Sequence, residues 1–248
     1  MTQLITPLLF FLITVAQALH SPGYRFGLEN RQRDTVKVDS KYGPFYFNQR
    51  VDHSSDNATT FPQRIWANAD WYKPNGPVIF YNAGEVDADQ TGRSNYVVNS
   101  SMALLARELN GVVIVLEHRF YGQSMPAPDF STENLKTLTI QNSMEDMVNV
   151  IKTFQIPTLG RTLPPPETRW IVYGGSYSGN LAAWLHQAHP DLVYATVVSS
   201  APVQLRMDFY EYYDPIIRYG PTYCIDALEN VIRADRSLRF MATDVTNL

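Results

Sequence analysis

With 248 residues, 45% of them hydrophobic, the chain is long enough to bury a continuous core and falls in the range of one α/β domain or of one domain plus an appendage. A formal charge of −4 and the absence of any Lys/Arg run exclude a nucleic-acid backbone as a partner. Five histidines and one cysteine form no ligand-spaced cluster, so no metal and no cofactor is expected.

The N-terminus, MTQLITPLLFFLITVAQALH, is apolar from Leu4 to Val15 and then reads Ala16-Gln17-Ala18, the small-x-small pattern of a cleaved signal peptide. Residues 1–18 are read as that signal. Pro7 interrupts the run, which also falls short of the ~20 apolar residues of a spanning helix, so stable membrane insertion is not expected. A secreted or lysosome-like destination follows, and Asn57-Ala-Thr59 and Asn99-Ser-Ser101 would then be glycan acceptors.

Next come PFYFNQRVDH and TFPQRIWANADWY, aromatic and β-branched with partial alternation, which predict antiparallel strands near one sheet edge. The pattern then changes to short, continuous apolar runs at 77–82, 112–117, 169–174 and 194–200, expected for parallel strands covered on both faces. Helical periodicity separates them. One helix is predicted from Asn95 to Leu109, stopped by Asn110-Gly111. A second is predicted to start at the capping-box-like Ser143-Met-Glu-Asp146, with Met144, Met147, Val148 and Ile151 on its core face. A third runs from about Tyr177 to Ala188, turning Leu181, Trp184, Leu185 and Ala188 inward. Strand and helix in alternation imply right-handed crossovers and a doubly wound α/β sheet. From about residue 206 the sequence turns Tyr-rich, charged and helical, like the start of an inserted cap, so 19–205 is read as the α/β part.

Between the third apolar run and its helix lies Gly174-Gly-Ser176-Tyr-Ser178-Gly179, the order of strand, tight turn and helix that a nucleophile elbow requires. The strained turn brings residues two before and two after the serine together. Gly174 and Ser178 satisfy that for Ser176, whereas Asn180 would crowd the turn if Ser178 were the nucleophile. Ser178 is instead expected to satisfy a free N–H in the first helical turn. The N–H of Tyr177, at a helix N-terminus, is one expected oxyanion donor, and an N–H near Gly84 or Glu85 in the loop after residue 82 is the second.

A base is harder to find. His186 lies on the helix that Ser176 begins, about 15 Å away along its axis. His189 is more distant still. His118 follows a strand expected two positions from the elbow, ~10 Å distant, and reads as a structural hydrogen-bonder. His53 has an edge-strand context, and Asp208 is a plausibly placed acid with no histidine to orient. Glu85 or Asp87 could meet a peptide amine.

Taken together, FNQRVDH, TFPQR, LEHRFYGQS, LTIQNSMEDM, GGSYSGNLAAW and SSAPV, spanning about 45–203, resemble the prolyl carboxypeptidase and dipeptidyl peptidase II family of serine peptidases. The resemblance implies an α/β-hydrolase fold, mostly parallel and truncated here, with a helical cap inserted after the strand at 194–200. It implies acyl-enzyme cleavage of proline-containing peptides after proline, with Ser176 matching the catalytic serine. The family's acid and histidine lie in a C-terminal part, and a disulfide partner of Cys224 would lie there too; a free thiol is the alternative. Many members have glycine in place of Ser178 and Asn-Glu-Gly around Ala83-Gly84-Glu85-Val86, which leaves the second oxyanion donor open. An esterase on the same fold and a non-catalytic binding module are the competing functions, and this chain alone is expected to be weak or inactive.

Overall fold

The computed structural model describes residues 38–245 apart from 208, with side chains described as far as 235. The signal expected over 1–18, and Asp208, lie outside the described residues. The chain divides into two compact units at Pro202/Val203.

The first unit holds one six-stranded sheet. Its strands are β1 (Phe45–Arg50), β2 (Thr60–Asn68), β3 (Val78–Asn82), β4 (Val112–Leu116), β5 (Trp170–Gly175) and β6 (Ala195–Ser199), in the order β1-β2-β4-β3-β5-β6. β1 pairs antiparallel with β2, and β2 antiparallel with β4. The remaining pairs are parallel, with Val78 opposite both Val112 and Trp170. This is the mostly parallel α/β-hydrolase sheet, with its antiparallel pair at the β1 edge.

Continuous apolar sequence places β3 and β4 at the centre, where every residue of both is buried. Alternation sorts the side chains to two faces. Val78, Phe80, Val112, Ile114 and Leu116 join one core with the helices α2 (Ile140–Thr153) and α3 (Tyr177–Ala188). Ile79, Tyr81, Val113 and Val115 join a second with α1 (Ser101–Glu108) and the 3₁₀ turn Arg93–Val97. The central layer is therefore covered on both sides, as predicted. β6 departs from that expectation: Val197 and Val198 are 43% and 40% exposed, since β5 is its sole strand partner among the described residues.

Two helix starts also differ from expectation. The segment beginning at Asn95 is not one helix, because Ser100 is extended and caps α1 by accepting from the Ala103 N–H. The stop is where it was predicted: Asn110 is left-handed and the Gly111 N–H donates to the Ala106 carbonyl. α2 starts one turn before Ser143, capped by Thr139, whose hydroxyl accepts from the Asn142 N–H. Ser143 and Asp146 are thus interior and buried, not a capping box, while the four predicted core residues Met144, Met147, Val148 and Ile151 are buried. In α3, Leu181 and Leu185 are fully buried, Trp184 is half-buried against the core, and Ala188 faces outward in the last turn.

The second unit carries the short helix α4 (Asp214–Tyr219) and the long helix α5 (Thr222–Val245). Cys224 is an exposed free thiol in the first turn of α5. Among the described residues no helix is long and apolar enough to cross a membrane.

Candidate active site

β5 runs directly into α3 through Ser176, whose backbone sits at φ 55°, ψ −131°, a conformation a non-glycine residue adopts only when its surroundings enforce it. Three anchors do so. The Ser176 N–H donates to the Ser199 carbonyl at the end of β6 (2.9 Å), and the Ser176 carbonyl accepts from the N–H groups of Gly179 (2.9 Å) and Asn180 (3.2 Å). Asn180 in turn donates from Nδ2 to the Pro202 carbonyl (2.9 Å). The result lifts the Ser176 side chain to the exposed end of the sheet.

The turn leaves no room for a side chain at Gly174. A Cβ there would lie 2.1 Å from the Ser178 carbonyl oxygen. The Ser178 hydroxyl is not used as a cap. It packs against Gly84, where a Cβ would lie 2.5 Å from it. A left-handed Gly84 (φ 69°) is thus what lets the loop after β3 touch the first turn of α3.

That loop separates the two residues proposed from sequence as donors. Gly84 cannot serve, because Asn82 at the end of β3 folds its side chain back in an Asx turn and accepts the Gly84 N–H (2.8 Å). Among the described residues the Glu85 N–H has no partner, and neither has the Tyr177 N–H at the start of α3. The Glu85 side chain is exposed, whereas Asp87 is spent on Arg64 (3.0 Å) and on the N–H groups of Asp89 and Gln90 (both 2.9 Å). Asn82 was not singled out in the sequence; an Asn two residues before a glycine at a strand end was the available signal.

No imidazole among the described residues hydrogen-bonds Ser176. His53 donates its N–H to Asn142 Oδ1 and places Nε2 2.8 Å from Asp146 Oδ1. His118 is buried, with Nδ1 2.7 Å from the Arg119 carbonyl and Nε2 3.2 Å from the Tyr177 hydroxyl. A carbonyl can only accept, so Nδ1 carries the proton and Nε2 receives the Tyr177 O–H. His118 therefore anchors the ring of Tyr177, and burial pushes the Tyr177 phenol upward. The structural role expected for His118 agrees with this geometry.

Burial holds the His118 pKa below the ordinary imidazole value, partly offset by the Arg119 carbonyl. The unfolded ring thus binds a proton more readily than the folded one. Stability should be independent of this group well above pH ~6.5 and fall as pH drops through that value. Urea midpoints at pH 7.5 and 5.5 should show a smaller acid loss for His118→Asn than for the unaltered protein; equal losses would contradict the assignment.

The sequence glycan acceptors Asn57 and Asn99 both lie at exposed positions, Asn57 in a turn where its Oδ1 accepts from the Thr59 N–H and hydroxyl.

The family model described as serine carboxypeptidase S28 matches residues 49–243, from the end of β1 through the rest of the sheet and the strained serine into the helical segment after it. The chain belongs to this serine peptidase family. It is 35% identical over 176 residues to the human lysosomal Pro-X carboxypeptidase, covering 67% of this chain and 33% of that protein. Against the human thymus-specific serine protease the values are 36% over 161 residues, 64% and 30%. Serine protease vicPb of Bipolaris victoriae is 34% identical over 189 residues, with 75% and 35% covered. The chain thus spans about a third of the length of these relatives. Among solved structures, proline iminopeptidase of Mycobacterium smegmatis shares the fold, with a TM-score of 0.54 at 20% identity over 77% of this chain and 55% of that one.

Proposed function

We propose that the chain forms the nucleophile-bearing part of a secreted or lysosomal serine exopeptidase that cleaves peptides after proline through an acyl-enzyme. The observation that carries this reading is the backbone of Ser176, held at φ 55° on an exposed turn between the parallel strand β5 and a helix N-terminus. Its Oγ adds to the substrate carbonyl, and the developing oxyanion sits between the N–H groups of Tyr177 and Glu85, the first of them at the positive end of α3. The base that takes the Ser176 proton comes from the part of the family fold C-terminal to this chain, as the resemblance implies, because His53 and His118 are engaged elsewhere. Proline specificity rests on the similarity to the human Pro-X carboxypeptidase. The apolar N-terminus and the exposed Asn57 and Asn99 support secretion with glycosylation.

A peptidyl boroproline tests the nucleophile without requiring turnover. Ser176 Oγ adds to boron, its proton leaves to solvent, and a tetrahedral boronate results. Boron NMR should report this adduct with the unaltered chain and none with Ser176→Ala. Hydrolysis of an Xaa-Pro anilide by this chain alone should not exceed about 10³–10⁴ over water, the residue left by binding and oxyanion contacts. Formation of the adduct in Ser176→Ala, or its absence in the unaltered chain, would reject the assignment.

A further inference from the structure

We infer that a buried clamp formed by Glu117 and Arg64 holds the loop after β3 in the position that presents the Glu85 N–H, making both side chains positioning residues for the oxyanion site. The inference rests on the role proposed above for Ser176. Glu117 follows β4 directly and is fully buried. Its carboxylate accepts five hydrogen bonds: from Arg64 Nε (2.8 Å) and Nη2 (2.6 Å), from the N–H groups of Ala88 (3.0 Å) and Gln123 (3.1 Å), and from the Ser124 hydroxyl (2.7 Å).

Two of these links reach the loop that carries Glu85. The Ala88 N–H binds Glu117 Oε1 itself, and Arg64 Nη2 spans from Glu117 to Asp87 Oδ1 (3.0 Å). At the other end the Ala83 N–H donates to the Leu116 carbonyl (2.8 Å) and the Gly84 N–H to Asn82. Glu85 therefore lies between two fixed points, one made by the β3 backbone and one made by the clamp. Without the clamp, the stretch from Glu85 to Ala88 keeps the Val86 N–H bond to the Gly84 carbonyl and the bonds that the Asp87 and Ala88 carbonyls accept from Thr91 and Ser94, all of them local to residues 84–94 and none reaching the sheet. Gly122 (φ 56°) closes the arrangement, since a Cβ there would fall 2.1 Å from Glu117 Oε1 and 2.5 Å from Arg64 Nη2. The bidentate pairing matters for charge as well. A lone buried carboxylate one strand from an oxyanion would oppose it, and Arg64 neutralises that field.

The test separates presentation of an oxyanion donor from general support of the fold. Asp87→Ala cuts the bridge to the loop at a partly exposed side chain, together with the local turn that Asp87 makes to the Asp89 and Gln90 N–H groups, and leaves the Arg64–Glu117 pair in place; Glu117→Gln weakens the clamp at its centre without touching that turn. Affinity is measured for a peptidyl boroproline, which places an oxygen in the oxyanion site, and for the matching aminoacyl pyrrolidide, which fills the same cleft without one. Amide hydrogen exchange over residues 84–88 is followed in parallel. Asp87→Ala should speed exchange there and weaken the boronate about tenfold or more, with the pyrrolidide within about twofold, the pattern of an interaction made only to the tetrahedral species. Glu117→Gln should do the same or fail to fold. Boronate affinity unchanged in Asp87→Ala, or both ligands weakened equally, would overturn the clamp while the Ser176 adduct itself stands. No adduct in the unaltered chain would remove the Ser176 reading and this positioning role together.

Discussion

Replacing Gly174 by alanine is expected to destabilise the first unit by about 3 kcal/mol or more and to abolish boronate addition at Ser176. The added Cβ would stand 2.1 Å from the Ser178 carbonyl oxygen, 2.4 Å from its carbon and 2.5 Å from the Gly179 nitrogen. All three are backbone atoms in the first turn of α3, so no side-chain rotation relieves the contact. The helix must move away from β5, and the contacts that hold Ser176 at positive φ move with it. That strained conformation itself costs on the order of 1–3 kcal/mol and persists only while the Ser199, Gly179 and Asn180 contacts enforce it. Gly175 supplies the control. It neighbours the same serine, does not have positive φ, and a Cβ there meets no atom within 4 Å. Gly175→Ala should therefore change stability by less than about 1 kcal/mol, in either direction. Urea unfolding of the two variants side by side decides the matter; equal effects would show that the turn is not sterically closed at Gly174.

This contrast also marks how far the site could be read from sequence. The elbow was legible because all of its requirements are local: an apolar strand, small residues at fixed offsets and a helix within fifteen residues. The four apolar runs and the core face of α2 were legible for the same reason, since periodicity within a segment reports burial. What could not be read were pairings across the chain. Thr139, not Ser143, caps α2, and the distinction depends on Asp146 being drawn inward to Arg119 and His53. Gly84 looked like a donor because glycine permits close approach, yet it is the Asn82 side chain, two residues back, that claims its N–H. The Arg64–Glu117–Asp87 bridge joins residues from three separate segments. None of these charges carries a local signature, because a charged residue in a loop or at a strand end reads as solvated until its partner is placed.

The largest loss of stability is expected at Arg119, where substitution by leucine should cost about 3–5 kcal/mol. Its guanidinium is fully buried and donates Nε to Asp146 Oδ2 (2.7 Å), Nη2 to Asp146 Oδ1 (2.5 Å) and to the Arg50 carbonyl (3.1 Å), and Nη1 to the carbonyls of Val51 (2.8 Å) and Thr137 (2.9 Å). One side chain thus ties together the end of β1, the loop before α2, α2 itself and the segment after β4 that carries His118. Buried ion pairs are often replaceable by apolar pairs at little cost, because desolvation offsets their attraction. This one differs through its carbonyls. Even the double change Arg119→Leu with Asp146→Leu would take the Arg119 donors from the Arg50 and Val51 carbonyls and the Asp146 acceptor from the ring of His53, while the Thr137 carbonyl keeps Asn142 Nδ2 and the Gln63 amide keeps the Glu117 carbonyl, at roughly 1–3 kcal/mol for each group left unpaired where no water reaches it. The double variant should therefore remain well below the unaltered protein in urea midpoint, and Arg119→Lys should recover little, since an ammonium cannot fork to a carboxylate and reach the carbonyls on either side at once. A lysine variant within about 1 kcal/mol of the unaltered protein would mean that charge alone suffices, and that the planar geometry of the guanidinium does not organise this end of the sheet.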